Sequence, residues 1–206
     1  MEKKLLLLRH GEIGPEYHHR FIGRLDVRLA PSGRHQAAAM AGLIRAWKPQ
    51  RCFCSPLKRC VETARAAVDS SMLKVEIAPD LREIDFGRWE KMTFEEIQKS
   101  DPAAVNRWAK FDPDFSFPRG ERLKSFVARV EKIAQRLVSC PEETLLVVTH
   151  GGVIRALICH FLGIDPRQYV LFDVRPGSLT TLELFDGKGV LTGLNQGMVT
   201  TRQLGC

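Results

Sequence analysis

Two segments of the chain are apolar at every position: Leu5-Leu6-Leu7-Leu8 and Leu145-Leu146-Val147-Val148. Successive side chains of a strand point to opposite faces, so an unbroken apolar run marks a strand covered on both sides, as in a parallel sheet layered between helices. Shorter strand-like runs at 51–54, 75–78 and 179–185 alternate with helical patterns along the rest of the chain. This alternation predicts an α/β fold, a three-layer α/β/α sandwich with a mostly parallel central sheet. The two all-apolar strands are expected at 4–9 and 144–149, and the alternating segment 179–185 nearer an edge.

Helical periodicity predicts helices at 32–47, with Pro31 before it and Ser32 placed to cap it, and at 57–71, 93–99, 103–111 and 153–162. The strongest helical signal begins at Glu121, where Leu123, Phe126, Val130, Ile133 and Leu137 recur every three or four residues. Pro113 and Pro118 forbid regular structure over 112–119. With the short helices before it, this stretch reads as a small helical lid insertion, about 93–120, in a single domain spanning 1–206.

The 206 residues can bury a core without staples. A net charge of +7 comes from 31 Lys and Arg scattered among 24 acids, with no basic tract, so no nucleic-acid partner is expected and a small anion is served as well. The Leu5 to Leu8 run is too short to span a bilayer or serve as a signal peptide, so the expectation is a cytoplasmic protein without membrane attachment. Six cysteines, at 52, 54, 60, 140, 159 and 206, form no CxxC pair and no Cys/His array of zinc spacing. They read as free thiols, and no metal or cofactor is expected; no pattern sets an oligomeric state.

Both all-apolar strands end in a histidine followed by glycine, His10-Gly11 and His150-Gly151. Ligands of open α/β sheets bind at the carboxyl ends of strands, and a glycine there lets the chain turn close to a ligand. Arg9 precedes the first histidine, and Arg59 follows the 51–54 strand where its helix begins. Guanidinium forks match phosphate oxygens, so two arginines and two histidines at one sheet edge make a pocket for a doubly charged anion. In Leu81-Arg82-Glu83-Ile84-Asp85-Phe86-Gly87, a carboxyl group could supply a proton to a leaving group, and spacing leaves Glu83 and Asp85 both open.

With these residues assembled, the chain resembles the histidine phosphatase superfamily in its phosphoglycerate-mutase-like branch. The match runs through LLRHGE, CSPLKRCVETA, LREIDFGRWE, FPRGE and VVTHGG, nearly the whole chain. The resemblance implies that His10 is the phosphorylated nucleophile, that Arg9, Arg59 and His150 hold the phosphoryl group, and that Glu83, rather than Asp85, is the proton donor. Gly11, Ile22, Gly23 and Gly151 are the implied substrate contacts, and a small phosphorylated metabolite the implied partner. Hydrolysis is favoured over mutation because the insertion after the acid motif is short. FSFPRGERLKSFVARV and Arg20-Phe21-Ile22-Gly23 look most like α-ribazole phosphatases of the cobalamin pathway. A broad-specificity sugar-phosphate or phosphoglycerate phosphatase, a true mutase, and a binding module without catalysis are the alternatives.

Three positions depart from the family pattern: Ile13 replaces a threonine, Glu16 a phosphate-contacting asparagine, and Lys91 the glycine of Trp-Glu-Gly. Segments 13–19 and 111–119 are expected to rim the pocket, with Phe111, Phe115 and Phe117 closing the core beneath; His18, His19, His35 and His160 read as surface positions.

Overall fold

A computed structural model describes residues 2–68 and 73–197. Six strands form one sheet in the order β3-β2-β4-β1-β5-β6. They are β1 (Glu2–Arg9), β2 (Arg51–Cys54), β3 (Val75–Ile77), β4 (Thr144–Thr149), β5 (Leu179–Phe185) and β6 (Lys188–Gln196). The pairings β1·β4, β2·β4 and β2·β3 are parallel, and β5 and β6 add two antiparallel steps.

The all-apolar strands occupy the centre and feed both faces. Leu5, Leu7, Leu145 and Val147 enter one core, against α6 (Leu123–Ser139) and α7 (Gly151–Leu162), while Leu6, Leu8, Leu146 and Val148 enter the other. That second core is closed by α1 (Pro31–Ala39), α2 (Ala41–Trp47) and α3 (Lys58–Ala67), through Ala37, Met40, Ile44, Cys60 and Ala64. Each full burial of a leucine or valine contributes about 1.5–3 kcal/mol, and all eight of these strand residues are fully buried. No helix among the described residues is long and apolar enough to cross a membrane.

Three expectations are corrected. The 32–47 helix is two helices: at Met40 the amide turns back to Ala37 at 3.2 Å, a three-residue step just before Gly42, a poor helix former. Ser32 does not cap it; Pro31 is already its first residue and the Ser32 hydroxyl donates to Glu12 instead. The helix expected to reach 71 ends at Ala67, with Val68 extended, and 69–71 lie outside the described residues. As expected, β5 lies nearer an edge than the two central strands; β6 pairs outside it, a strand whose Gly189 and Gly193 and half-exposed residues hid it from a periodicity reading.

The segment expected to be a lid contains α4 (Phe94–Ser100) and α5 (Pro102–Ala109). Thr93 and Glu96 form a reciprocal capping box on α4, and Asp101 caps α5. The following coil is riveted to the core: Phe115 and Phe117 are 2% and 1% exposed and pack at 5.8 and 5.3 Å on Trp89. This agrees with their reading as core residues.

Lys91 has φ +67°, in the left-handed region. A side chain there costs about 1–2 kcal/mol, which glycine would relieve at an entropic cost of about 0.5–1 kcal/mol. Lys91→Gly is therefore expected to stabilise the fold by roughly 0.5 kcal/mol, read as a higher urea midpoint; a lower midpoint would show that no strain resides there.

Candidate active site

The site is assembled by strand register. In the β1·β4 ladder Arg9 pairs with Thr149, so His10 and His150 emerge side by side, the His10 amide donating to the Thr149 carbonyl at 3.0 Å. Their rings meet edge to face with centroids 5.2 Å apart. Cys54 of β2 pairs with Val148, and the next turn starts α3, which carries Arg59 to the same edge. The lysine amide that opens α3 donates to the Asp26 carboxylate at 2.7 Å, so a distant loop supplies the missing cap.

The hydrogen bonds fix which nitrogen of His10 is free. Nδ1 lies 2.8 Å from the Gly11 carbonyl, which can only accept, so Nδ1 carries the proton. Nε2 accepts from Arg59 Nε at 3.2 Å and is therefore a bare lone pair facing a guanidinium. His150 lies wholly inside, with its Nε2 2.8 Å from the Ser55 hydroxyl and 3.4 Å from the Cys60 thiol. Both imidazoles are pushed well below the ordinary histidine range, first by burial and then by the charges of nearby groups, Arg59 foremost.

Arg59 is fully buried, and its terminal nitrogens donate to the Leu25 and Gly23 carbonyls at 2.8 and 2.7 Å. Arg9 gives one nitrogen to the Val174 carbonyl at 2.5 Å, and its Nε has no partner among the described residues. Burial lowers the Arg9 guanidinium to about 10, opposed mainly by the Glu83 charge. It remains cationic at neutral pH.

Glu83 is 8% exposed and faces the same cleft; its two oxygens accept from the Gly152 and Ile84 amides at 3.0 and 3.1 Å. A Cβ on Gly152 would come within 2.5 Å of Glu83 Oε1, so glycine is required for this approach. Asp85 instead accepts from the Gly87 amide at 3.0 Å and lies off the cleft. Geometry thus separates the two acids that spacing left open.

Arg129 of α6 holds the Glu83 segment from behind. It donates to the carbonyls of Asp80, Arg82 and Glu83 at 2.8, 2.6 and 3.1 Å, and is itself paired with Glu121 at 2.7 Å. Sequence reasoning missed it, since on an amphipathic helix an arginine reads as solvated; the only signal was the FPRGE glutamate eight residues earlier. Glu90 plays the same part on the opposite wall, accepting from the Gly23 and Arg24 amides at 3.2 and 2.7 Å.

The cleft above these residues measures about 690 Å³. Gly11, Ile22 and Gly151 line it as expected, whereas Gly23 lies behind the wall as an acceptor for Arg59. Of the expected rim, Ile13, Tyr17, His18 and His19 face the cleft; segment 111–119 does not, because its phenylalanines are spent on the core. Trp108, Arg155, Tyr169 and Asp173 take its place, unforeseen because they come from α5, α7, the 3-10 turn after α7 and the coil that follows that turn. Glu16 is exposed, its carboxylate folded against Gly14 and away from the cleft. His35 and His160 are on the surface; His18 and His19, also exposed, stand at the mouth.

Two imidazoles held neutral in the native state penalise folding when acidity charges them in the unfolded chain. Stability is therefore full above the unfolded histidine value, about 6.5, and falls as pH drops below it, by up to about 1.4 kcal/mol per pH unit for each ring. Denaturant midpoints measured from pH 8 to 5 should fall, and His150→Asn should fall less steeply. An equal slope in the variant would contradict a buried neutral ring.

Comparison with known proteins agrees with this geometry. Residues 5–197 match the model of the histidine phosphatase superfamily, branch 1. A phosphoserine phosphatase of Hydrogenobacter thermophilus is 30% identical over 193 residues, covering 93% of this chain and 92% of that one. An adenosylcobalamin/alpha-ribazole phosphatase of Escherichia coli is 29% identical over 194 residues, covering 93% and 95%. The crystal structure of the alpha-ribazole phosphatase from Shigella flexneri superposes with a TM-score of 0.83 at 28% identity, covering 94% of this chain and 96% of that one. The central sheet, the two strand-end histidines and these relatives lead to one assignment: the chain belongs to the histidine phosphatase superfamily and is a phosphomonoester hydrolase.

Proposed function

We propose that the chain hydrolyses a small phosphomonoester in two steps through a phosphohistidine at His10, and that α-ribazole 5′-phosphate is a substrate. The observation that carries the mechanism is the bare Nε2 of a neutral His10 beside two guanidiniums. Nε2 attacks phosphorus as the ester oxygen departs with the proton of Glu83; water then attacks the phosphohistidine, gives its proton to the Glu83 carboxylate, and releases phosphate and free His10. Arg9 and Arg59 balance the charge on the transferring group, with His150 adding an N–H donor at its side. Arginines supply the positive charge that a metal ion gives in other phosphoryl-transfer sites, so the reaction runs without one. The relatives named for α-ribazole support the substrate, as does the apolar and aromatic part of the cleft, from Ile22, Phe86, Trp108 and Tyr169, which suits a nucleoside leaving group. Free thiols at all five described cysteines fit a reducing, cytoplasmic setting.

His10→Ala is expected to keep the fold and lose at least about 10³-fold in turnover of an aryl phosphate; near-normal activity would refute the nucleophile. Glu83→Gln should cost about 10²-fold or more on alkyl phosphates and far less on an aryl phosphate, whose leaving group needs little protonation. Equal losses would remove Glu83 as the acid. Turnover should persist in EDTA, and release of phosphate from α-ribazole 5′-phosphate tests the substrate directly.

A further inference from the structure

The carbonyl that fixes the proton of His10 belongs to Gly11, a residue with no side chain to hold it. A Cβ there would come within 2.3 Å of the Gly33 carbonyl oxygen, so none is tolerated. The direction of the Gly11 carbonyl therefore depends on the two peptide groups that flank it. Each is tied down by a side chain that does not line the cleft.

The peptide joining His10 to Gly11 is held at both ends. Its carbonyl accepts from the Gly177 amide at 2.9 Å, and its N–H donates to the Thr63 hydroxyl at 3.1 Å. Thr63 lies on α3 one turn after Arg59, is fully buried, and gives its hydroxyl hydrogen to the Arg59 carbonyl at 2.7 Å. With that hydrogen committed, the oxygen can only accept from Gly11, and branching at Cβ keeps it aimed there. The peptide joining Gly11 to Glu12 carries the carbonyl that faces His10 Nδ1, and its N–H donates to the Gln36 side-chain oxygen at 2.9 Å. Gln36 of α1 packs in turn on Gly177, where φ is +67° and a Cβ would come within 2.8 Å of Gln36 Cβ. The circuit closes on itself: α3, α1 and the turn at Gly177 together leave Gly11 no freedom to rotate.

We propose that Thr63 and Gln36 are positioning residues, which clamp the two peptides about Gly11 so that its carbonyl keeps the proton of His10 on Nδ1 and holds the ring in line for attack through Nε2. The inference rests on the reading of His10 as nucleophile. Arg59 meets the ring at Nε2, so the Gly11 carbonyl is its second anchor; a peptide free to turn would leave the imidazole held at one nitrogen only. Neither side chain reaches the substrate. Their removal should therefore slow the chemical step for every leaving group alike and leave binding nearly as it was.

The test joins kinetics to nitrogen NMR spectra of histidine-labelled protein, the His10 signals being assigned by their loss in His10→Ala. In the wild-type chain one nitrogen of this ring should read as protonated and the other as bare. Thr63→Val keeps the shape and removes the hydroxyl; it should lower kcat for an aryl phosphate by about 10- to 100-fold with KM within about threefold, the scale set by a small misplacement of a reacting group. The two His10 nitrogen shifts should also draw together, as they do when tautomers mix. Thr63→Ser should restore most of both properties, and Gln36→Met should act in the same direction from the other peptide, deciding the matter if Thr63→Val does not fold. Unchanged kcat in the folded variants overturns the proposal. So does a loss that serine does not restore and that leaves the His10 spectrum as in the wild type, the result if Thr63 only packs. Absence of turnover in the wild-type chain would instead overturn the hydrolase reading, and the spectra alone would then decide the clamp.

Discussion

The two histidines of the candidate site are set side by side by one pairing, the parallel ladder between β1 and β4 that places Arg9 against Thr149. The side-chain period of a strand is two, so a slip by one residue would send Leu6 and Leu8 to the wrong core and separate the two histidines along the sheet. The leucines and valines of these strands tolerate no such slip, because both faces are already committed to packed helices. Hydrophobic burial thereby sets a polar geometry that no polar interaction could set alone. The same burial holds two uncharged imidazoles beside crowded guanidiniums, whose charge the Glu83 carboxylate partly offsets.

Around that ladder a second set of residues converts a sheet edge into a cavity. Arg129 gathers the carbonyls preceding Glu83, and Glu90 gathers the amides of the facing loop. The two use opposite charges for the same end, tying down irregular backbone that has no ladder of its own. Arg59 links the walls, since its fork spans carbonyls of the Gly23 to Leu25 loop while its Nε meets His10. Removing any of these ties would loosen the placement of a reactive atom without touching it.

The central sheet and the gathering of His10, His150, Arg9 and Arg59 at one sheet edge were legible because they sit where periodicity changes abruptly, from apolar strand to charged turn. Glu83 needed more, since only its amide partners, from Gly152 and Ile84, distinguish it from Asp85. Arg129 and Arg155 were illegible for a common reason: each lies on a helix whose pattern explains its apolar face, and nothing local says that an arginine on the other face turns inward. β6 stayed hidden because an edge strand with half-exposed residues and two glycines has no strong period. Segment 111–119 was placed at the rim on the strength of its prolines, yet its aromatic residues follow the core.

The Trp89, Phe115 and Phe117 packing bears on how the cleft handles solvent. A flap that swings must peel its underside from the body of the protein, and peeling buried aromatic rings costs several kcal/mol. The coil over 112–119 is therefore tied to the body of the protein by its own aromatic side chains, so solvent reaches the cleft past Trp108 and Tyr169 rather than past this coil.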